Sequence, residues 1–124
     1  MEEDFRALLN SVSGVPSFYR RAPISVKERP YISLTVASHP TDYALDSETR
    51  NALIQADLWA DSYGAAVALS RTVHAALSGY HGRQGATLFQ GIFAEAERDL
   101  SGDVGEAVVY ARSIDWRVHY QTQA

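Results

Sequence analysis

The residues best suited to chemistry in this 124-residue chain are four histidines, an acidic run near the C-terminal third and a generous supply of serines. His39, His74, His81 and His119 have neither the i, i+4 spacing of a helical metal site nor an H-E-x-x-H setting, so each reads as a solvated or hydrogen-bonded histidine. Glu95, Glu97 and Asp99 alternate along one stretch, and on a strand i and i+2 share a face. Such a row could be drawn as paired carboxylates for acid–base work or as ligands for a hard cation. Arg98 interrupts it, however, and a charged row is the ordinary content of a solvated strand face. Arg112 and Arg117 further on could pair with it as a cross-strand ladder. The serines make no G-x-S-x-G elbow, and "SYGAAV" and "GYHGRQG" fit neither phosphate-loop pattern. No catalytic, cofactor-binding or metal-ligating residue is therefore assigned.

Composition narrows the field. A hydrophobic fraction of 46% with 21% charged residues describes an ordinary globular domain, and 1–124 reads as one domain. A net charge of −4 lacks the basic stripe of a dedicated nucleic-acid binder. With no cysteine, disulfides and thiolate chemistry are excluded. No apolar run suggests a membrane span, and the acidic, amphipathic start is unlike a secretory leader, which points to folding in a cytoplasm.

The elements follow from periodicity. Phe5, Leu8, Leu9 and Val12 make a helical stripe behind three acidic residues, ended by Gly14 and Pro16, which predicts a helix over about 2–12. Phe18-Tyr19 could be a short strand. The segment beyond it holds Arg20, Arg21, Lys27 and Arg29, and reads as a solvated loop or as a contact for an acidic partner surface. Ile32, Leu34 and Val36 alternate with Tyr31, Ser33 and Thr35 in a half-buried strand. "SHPTDYALDSETR", which includes Asp42 and Tyr43, predicts a projecting loop. Ala52, Ile54, Ala56 and Leu58 then point inward from a strand whose other row is Leu53, Gln55, Asp57 and Trp59. Asp61 or Ser62 caps a helix over about 62–78. "HGRQGA" reads as a flexible connector to a strand over 88–100, with Ile92, Ala94 and Ala96 inward. "SGDVG" is a turn, and 107–120 is the last strand. The expected fold is α+β, in the order α-β-β-β-α-β-β. Two helices pack on one face of a mainly antiparallel sheet of four or five strands.

If one sheet face is bare, Leu53 and Trp59 put apolar surface on it, rimmed by charge, as at a protein–protein contact. The competing reading is that the N-terminal arm or the loop near Pro23 covers that face.

The stretch "ALIQADLWADSYGAAVALSRTVHAALSGY" resembles the tail-completion or tail-terminator proteins of long-tailed phages, prophages and gene transfer agents. The resemblance rests on Gln55, Asp57, Trp59 and Ala60 in a Q-x-D-x-W-A strand end, Tyr63 opening the helix, and Ala76, Leu77 and Gly79 closing it. "RPYISLTVAS", "DYALD" and "AEAERDL…YARSIDWRVHY" match further segments in order, while Ser17 to Arg29 and "LSGDVG" depart from the pattern. The resemblance implies a structural subunit of the virion neck with no cofactor. It would form a ring, usually hexameric, on the head-proximal end of the tail tube, partnered by itself, the tube protein and the head-connector protein. DNA would pass through its lumen unbound, and no membrane would be involved. The contact residues expected from this and from the surface character are Leu53, Gln55, Asp57, Trp59, Asp42, Tyr43, Arg20 and Arg21. Two alternatives stand beside it: another neck protein such as a head-completion or adaptor protein, and a small α+β enzyme or ligand-binding domain with its site near Glu95 and Glu97.

Overall fold

A computed structural model describes residues 1–19, 30–38, 50–104 and 107–122. The elements are α1 (Glu2–Ser13), β1 (Ser17–Tyr19), β2 (Tyr31–Ser38), β3 (Arg50–Ala60), α2 (Tyr63–Leu77), β4 (Gly82–Gln84), β5 (Thr87–Val104) and β6 (Ala107–Thr122). They build a six-stranded sheet in the order β1-β2-β3-β6-β5-β4. β1 runs parallel to β2, and every other pairing is antiparallel.

The α+β class and the two helices are as the periodicity implies, but the sheet is larger and mixed. β4 lies in the stretch read as a connector, and Gly85 at φ 60 makes the turn that folds it back on β5. Likewise β5 runs through most of the predicted "SGDVG" turn, Ser101 to Val104 pairing with Tyr110 to Ala107. There a continuous backbone ladder outweighs a local preference for turning.

Both helices lie on one face. α1 sends in Phe5, Leu8 and Leu9, and Gly14 at φ 69 closes it with its N–H on the Asn10 carbonyl. That positive φ suits glycine, which has no Cβ to clash. At the start of α2 the Ser62 hydroxyl accepts from the Ala65 N–H at 3.1 Å, so Ser62 rather than Asp61 makes the cap. Ala66, Leu69, Val73 and Leu77 then face the sheet. Leu69, Val73 and Leu77 meet Ile32 and Leu34 of β2, Ala52, Ile54, Ala56 and Leu58 of β3, and Ile114, Trp116 and Val118 of β6 in one apolar cluster. Each large aliphatic side chain fully removed from water there contributes about 1.5–3 kcal/mol before ordering costs. Phe89 joins them, edge-on to Phe5 at 6.4 Å and to Tyr80 at 6.2 Å.

Candidate functional site

The face of the sheet opposite the helices is organised by β3, one of the two central strands, with β2 on one side and β6 on the other. Strict alternation over Arg50–Ala60 buries the even-numbered positions from Ala52 to Ala60 and leaves Leu53, Gln55, Asp57 and Trp59 half-buried on the open face. The register sets Trp59 between Tyr31 and Ala111, Asp57 between Ser33 and Ser113, Gln55 between Thr35 and Asp115, and Leu53 opposite Arg117. Four of the expected contact residues thus share one surface. Arg20, Arg21, Asp42 and Tyr43 lie outside the described residues.

Aromatic side chains mark both ends of this surface. Trp59 stacks on Tyr31 at 6.4 Å, and its indole N–H donates to Ser33 Oγ at 3.1 Å, which fixes the ring plane against the sheet. At the other end Phe93 is 51% exposed and leans on His119 at 6.2 Å. Its ring lies over Gly91, where a Cβ would come within 2.6 Å of the ring, so the glycine is what lets the phenyl lie down. Alternation with Ile92 and Ala94, both expected inward, already turns Phe93 outward, but the sequence did not single it out as a contact residue.

Charge on the open face is mostly paired. Arg117 donates to Glu95 at 2.8 Å and to Asn51 at 3.0 Å, and Arg98 donates to Asp115 at 3.2 Å. The Arg117 hydrogen bond holds the Glu95 carboxyl below its ordinary range and raises Arg117 in turn. Asp57 accepts from the Gln55 amide at 3.1 Å. Beside it Ser113 is fully buried, its hydroxyl without a partner among the described residues.

The acidic row read from the sequence does not exist as one row. A register shift between Ala94 and Ala96 inserts one residue into β5, a β-bulge, and reverses the alternation beyond it. Glu95 therefore reaches Arg117 on the open face, whereas Glu97 turns to the helix side. There it accepts from Ser70 at 2.7 Å and meets His74 Nε2 at 3.1 Å. Asp99 follows it, bound to Arg112 at 2.8 Å and to the Tyr63 hydroxyl at 3.3 Å. Ala94 and Ala96, expected inward, are exposed. The bulge thus dissolves the paired-carboxylate site imagined near Glu95 and Glu97.

The helix-side cluster has its own logic. Glu97 sits between Ser70 and His74, with Arg112 Nε at 3.4 Å. A hydrolytic triad needs the histidine between nucleophile and carboxylate, taking the hydroxyl proton. Here the carboxylate is central and the hydroxyl donates to it, an arrangement that fastens α2 to β5 rather than activating Ser70. Among the described residues no group of His, Asp and Glu is placed to hold a metal ion, and no helix is long and apolar enough to cross a membrane.

Comparison with known proteins gives the surface a context. The family model described as "Tail completion protein gp17" matches residues 4–117. One solved chain, from a structure titled "Virion of native gene transfer agent (GTA) particle", aligns with a TM-score of 0.62 at 18% identity, covering 97% of this chain and 90% of that one. A second solved chain aligns with a TM-score of 0.52 at 13% identity, covering 100% and 96%. At these identities both likenesses are likenesses of fold. No curated protein sequence matches.

Proposed function

The chain belongs to the tail-completion family that the gp17 model describes, and from that premise we propose that it is a tail terminator. It forms a ring on the head-proximal end of a tail tube, stops further tube addition and offers the head connector a surface to dock on. Six copies make the ring, its partners are the tube protein and the connector protein, and it works in the virion neck. The family's description and the gene transfer agent neighbour both support the broader statement, a structural part in a phage-type tail or neck.

The observation that carries the assembly reading is the open sheet face. It sets half-buried Trp59 and Leu53 and exposed Phe93 on one surface away from both helices, around ion pairs that neutralise each other. Apolar anchors inside a polar rim are how specific protein contacts are built. The lumen of such a ring would leave DNA free to slide if it binds few phosphates, because each bound phosphate releases counterions and adds affinity.

The test is assembly itself. The purified chain, alone and mixed with the tube protein, is examined by native mass spectrometry and negative-stain imaging. Annular particles with an axial hole, or caps on tube ends and shortened tubes, are expected. A chain that stays monomeric in both samples at every concentration, with tube length unchanged, refutes the reading.

A further inference from the structure

Among the described residues three carboxylates face outward from the open sheet, and two are held by arginines: Glu95 by Arg117 and Asp115 by Arg98. Asp57 is the third. The amide of Gln55 donates to it, and no cation among the described residues pairs with it. Its cross-strand neighbours are the short side chains of Ser33 and Ser113. Asp57 itself stays half-buried between them, and the buried Ser113 hydroxyl beside it has no hydrogen-bond partner among the described residues.

The opposite surface of the molecule carries the matching charge. On α2, Arg71 is exposed, and the residues on its side of the helix are Gly64, Ala68 and Ala75, also exposed. This stripe lies opposite the buried Ala66, Leu69, Val73 and Leu77. At i−4, i−3, i+3 and i+4 from Arg71 stand Val67, Ala68, His74 and Ala75, so no carboxylate is available on its own helix. No ion pair to it is formed among the described residues. Arg71 is a single positive charge on a bed of side chains small enough to let another surface approach closely.

These two surfaces are back to back, because α2 covers the sheet face that Asp57 does not occupy. Exposed Arg83 stands opposite Leu88, in the row that shares Asp57's face, while exposed Arg50 begins the helix-side row of β3 opposite Tyr120, at the end of its strand and off the outer face of α2. A closed ring of identical copies needs this kind of pairing, two different surfaces on opposite sides of each subunit joined by one repeated rotation. We propose that the outer face of α2 in one copy docks on the open sheet face of the next, with Arg71 of the first paired to Asp57 of the second. The inference rests on the ring reading above and names its interface. Arginine suits the position, since its planar fork can bind a carboxylate through two parallel N–H donors.

Charge exchange tests it. Arg71→Glu, Asp57→Lys, the isosteric Asp57→Asn and the double variant Asp57→Lys/Arg71→Glu are assembled alone and on the tube protein, with circular dichroism as the check on folding. Each single charge reversal is expected to raise the concentration needed for ring formation by at least about tenfold, since like charges brought together at an interface repel strongly. Asp57→Asn should do so more mildly, and the double variant should recover most of the loss. Single reversals that assemble like the parent overturn the pairing while leaving the ring reading intact. Impaired singles with no recovery in the double variant also overturn it. A parent chain that forms no ring under any condition removes both.

Discussion

Replacing Trp59 by alanine separates a surface residue from a core residue, and its cost can be worked from the contacts. The indole N–H hydrogen bond to Ser33 Oγ, at 3.1 Å, contributes about 1 kcal/mol net. The stacked pair with Tyr31 adds roughly 0.5–1.5 kcal/mol. Because the ring is half-buried on the open face, its removal leaves a surface hollow that water fills, and the Ser33 hydroxyl finds a water partner. The expected loss of monomer stability is therefore about 2 kcal/mol. Trp116 provides an internal ruler, since it is 0% exposed between α2 and the sheet with His74 at 5.2 Å from its ring. Trp116→Ala should cost about 3–5 kcal/mol or unfold the domain.

The assay is urea unfolding at a concentration too low for assembly, followed by intrinsic fluorescence. The chain has two tryptophans, so each variant keeps one reporter. Assembly on the tube protein is then measured on samples shown to be folded. Trp59→Ala should lose ring formation or docking while remaining a folded monomer, and Trp59→Phe should restore part of both by keeping an aromatic face on Tyr31. A Trp59→Ala monomer destabilised as much as Trp116→Ala would show that the indole is core and that this face is not the contact surface. Unchanged assembly in a folded Trp59→Ala would remove Trp59 from the contact.

Two further outcomes follow from single interactions. Glu95 has its folded pKa below the unfolded value of about 4.3, held down first by the Arg117 hydrogen bond. Its contribution is present above the unfolded pKa and is lost as pH falls through the folded one, so Glu95→Gln should flatten the decline of stability below about pH 4.3, as read from urea midpoints against pH. A decline identical to the parent's would show that the exposed pair adds nothing, as surface ion pairs often do. Ser62→Ala removes the acceptor for the Ala65 N–H and should cost about 1 kcal/mol, with Ser62→Asn recovering most of it in thermal melts.

Most of the scaffold was legible because its elements are long and one-sided. β3 alternates without interruption, and α2 repeats its apolar positions over four turns, so burial could be assigned residue by residue. β5 misled for a physical reason. Its "FAEAERD" stretch alternates smoothly in type, and a bulge changes which face a residue takes without changing the order of residue types. Hence Glu95 and Glu97 seemed to share a face and do not. β4 is three residues without an apolar side chain, held by backbone pairing to β5, and β1 is too short to announce that it runs parallel to β2. The candidate surface was half legible: Leu53, Gln55, Asp57 and Trp59 came from alternation, while Phe93 needed the pairing that sets it opposite Arg117 on the same face, and Arg71 needed the packing of α2 on the sheet.

The placement of the two proposed contact surfaces has a consequence for termination. If neighbours within a ring occupy the open sheet face and the outer face of α2, what remains for other partners are the two sheet edges, β1 and β4, and the ends of the strands. Those ends differ. At one, β5 and β6 continue together beyond the last β3 pairing, Ala60 with Tyr110, as a two-stranded ribbon from Ser101 opposite Tyr110 to Val104 opposite Ala107. At the other, β4 folds back on Thr87–Phe89 beside the end of β6. A ring made of such subunits presents chemically different rims, because every copy points the same way around the axis. A cap needs that inequality: one rim can match the tube, and the other can withhold the surface on which the next tube ring would sit. Termination would then follow from the polarity of the subunit itself, with no conformational switch required.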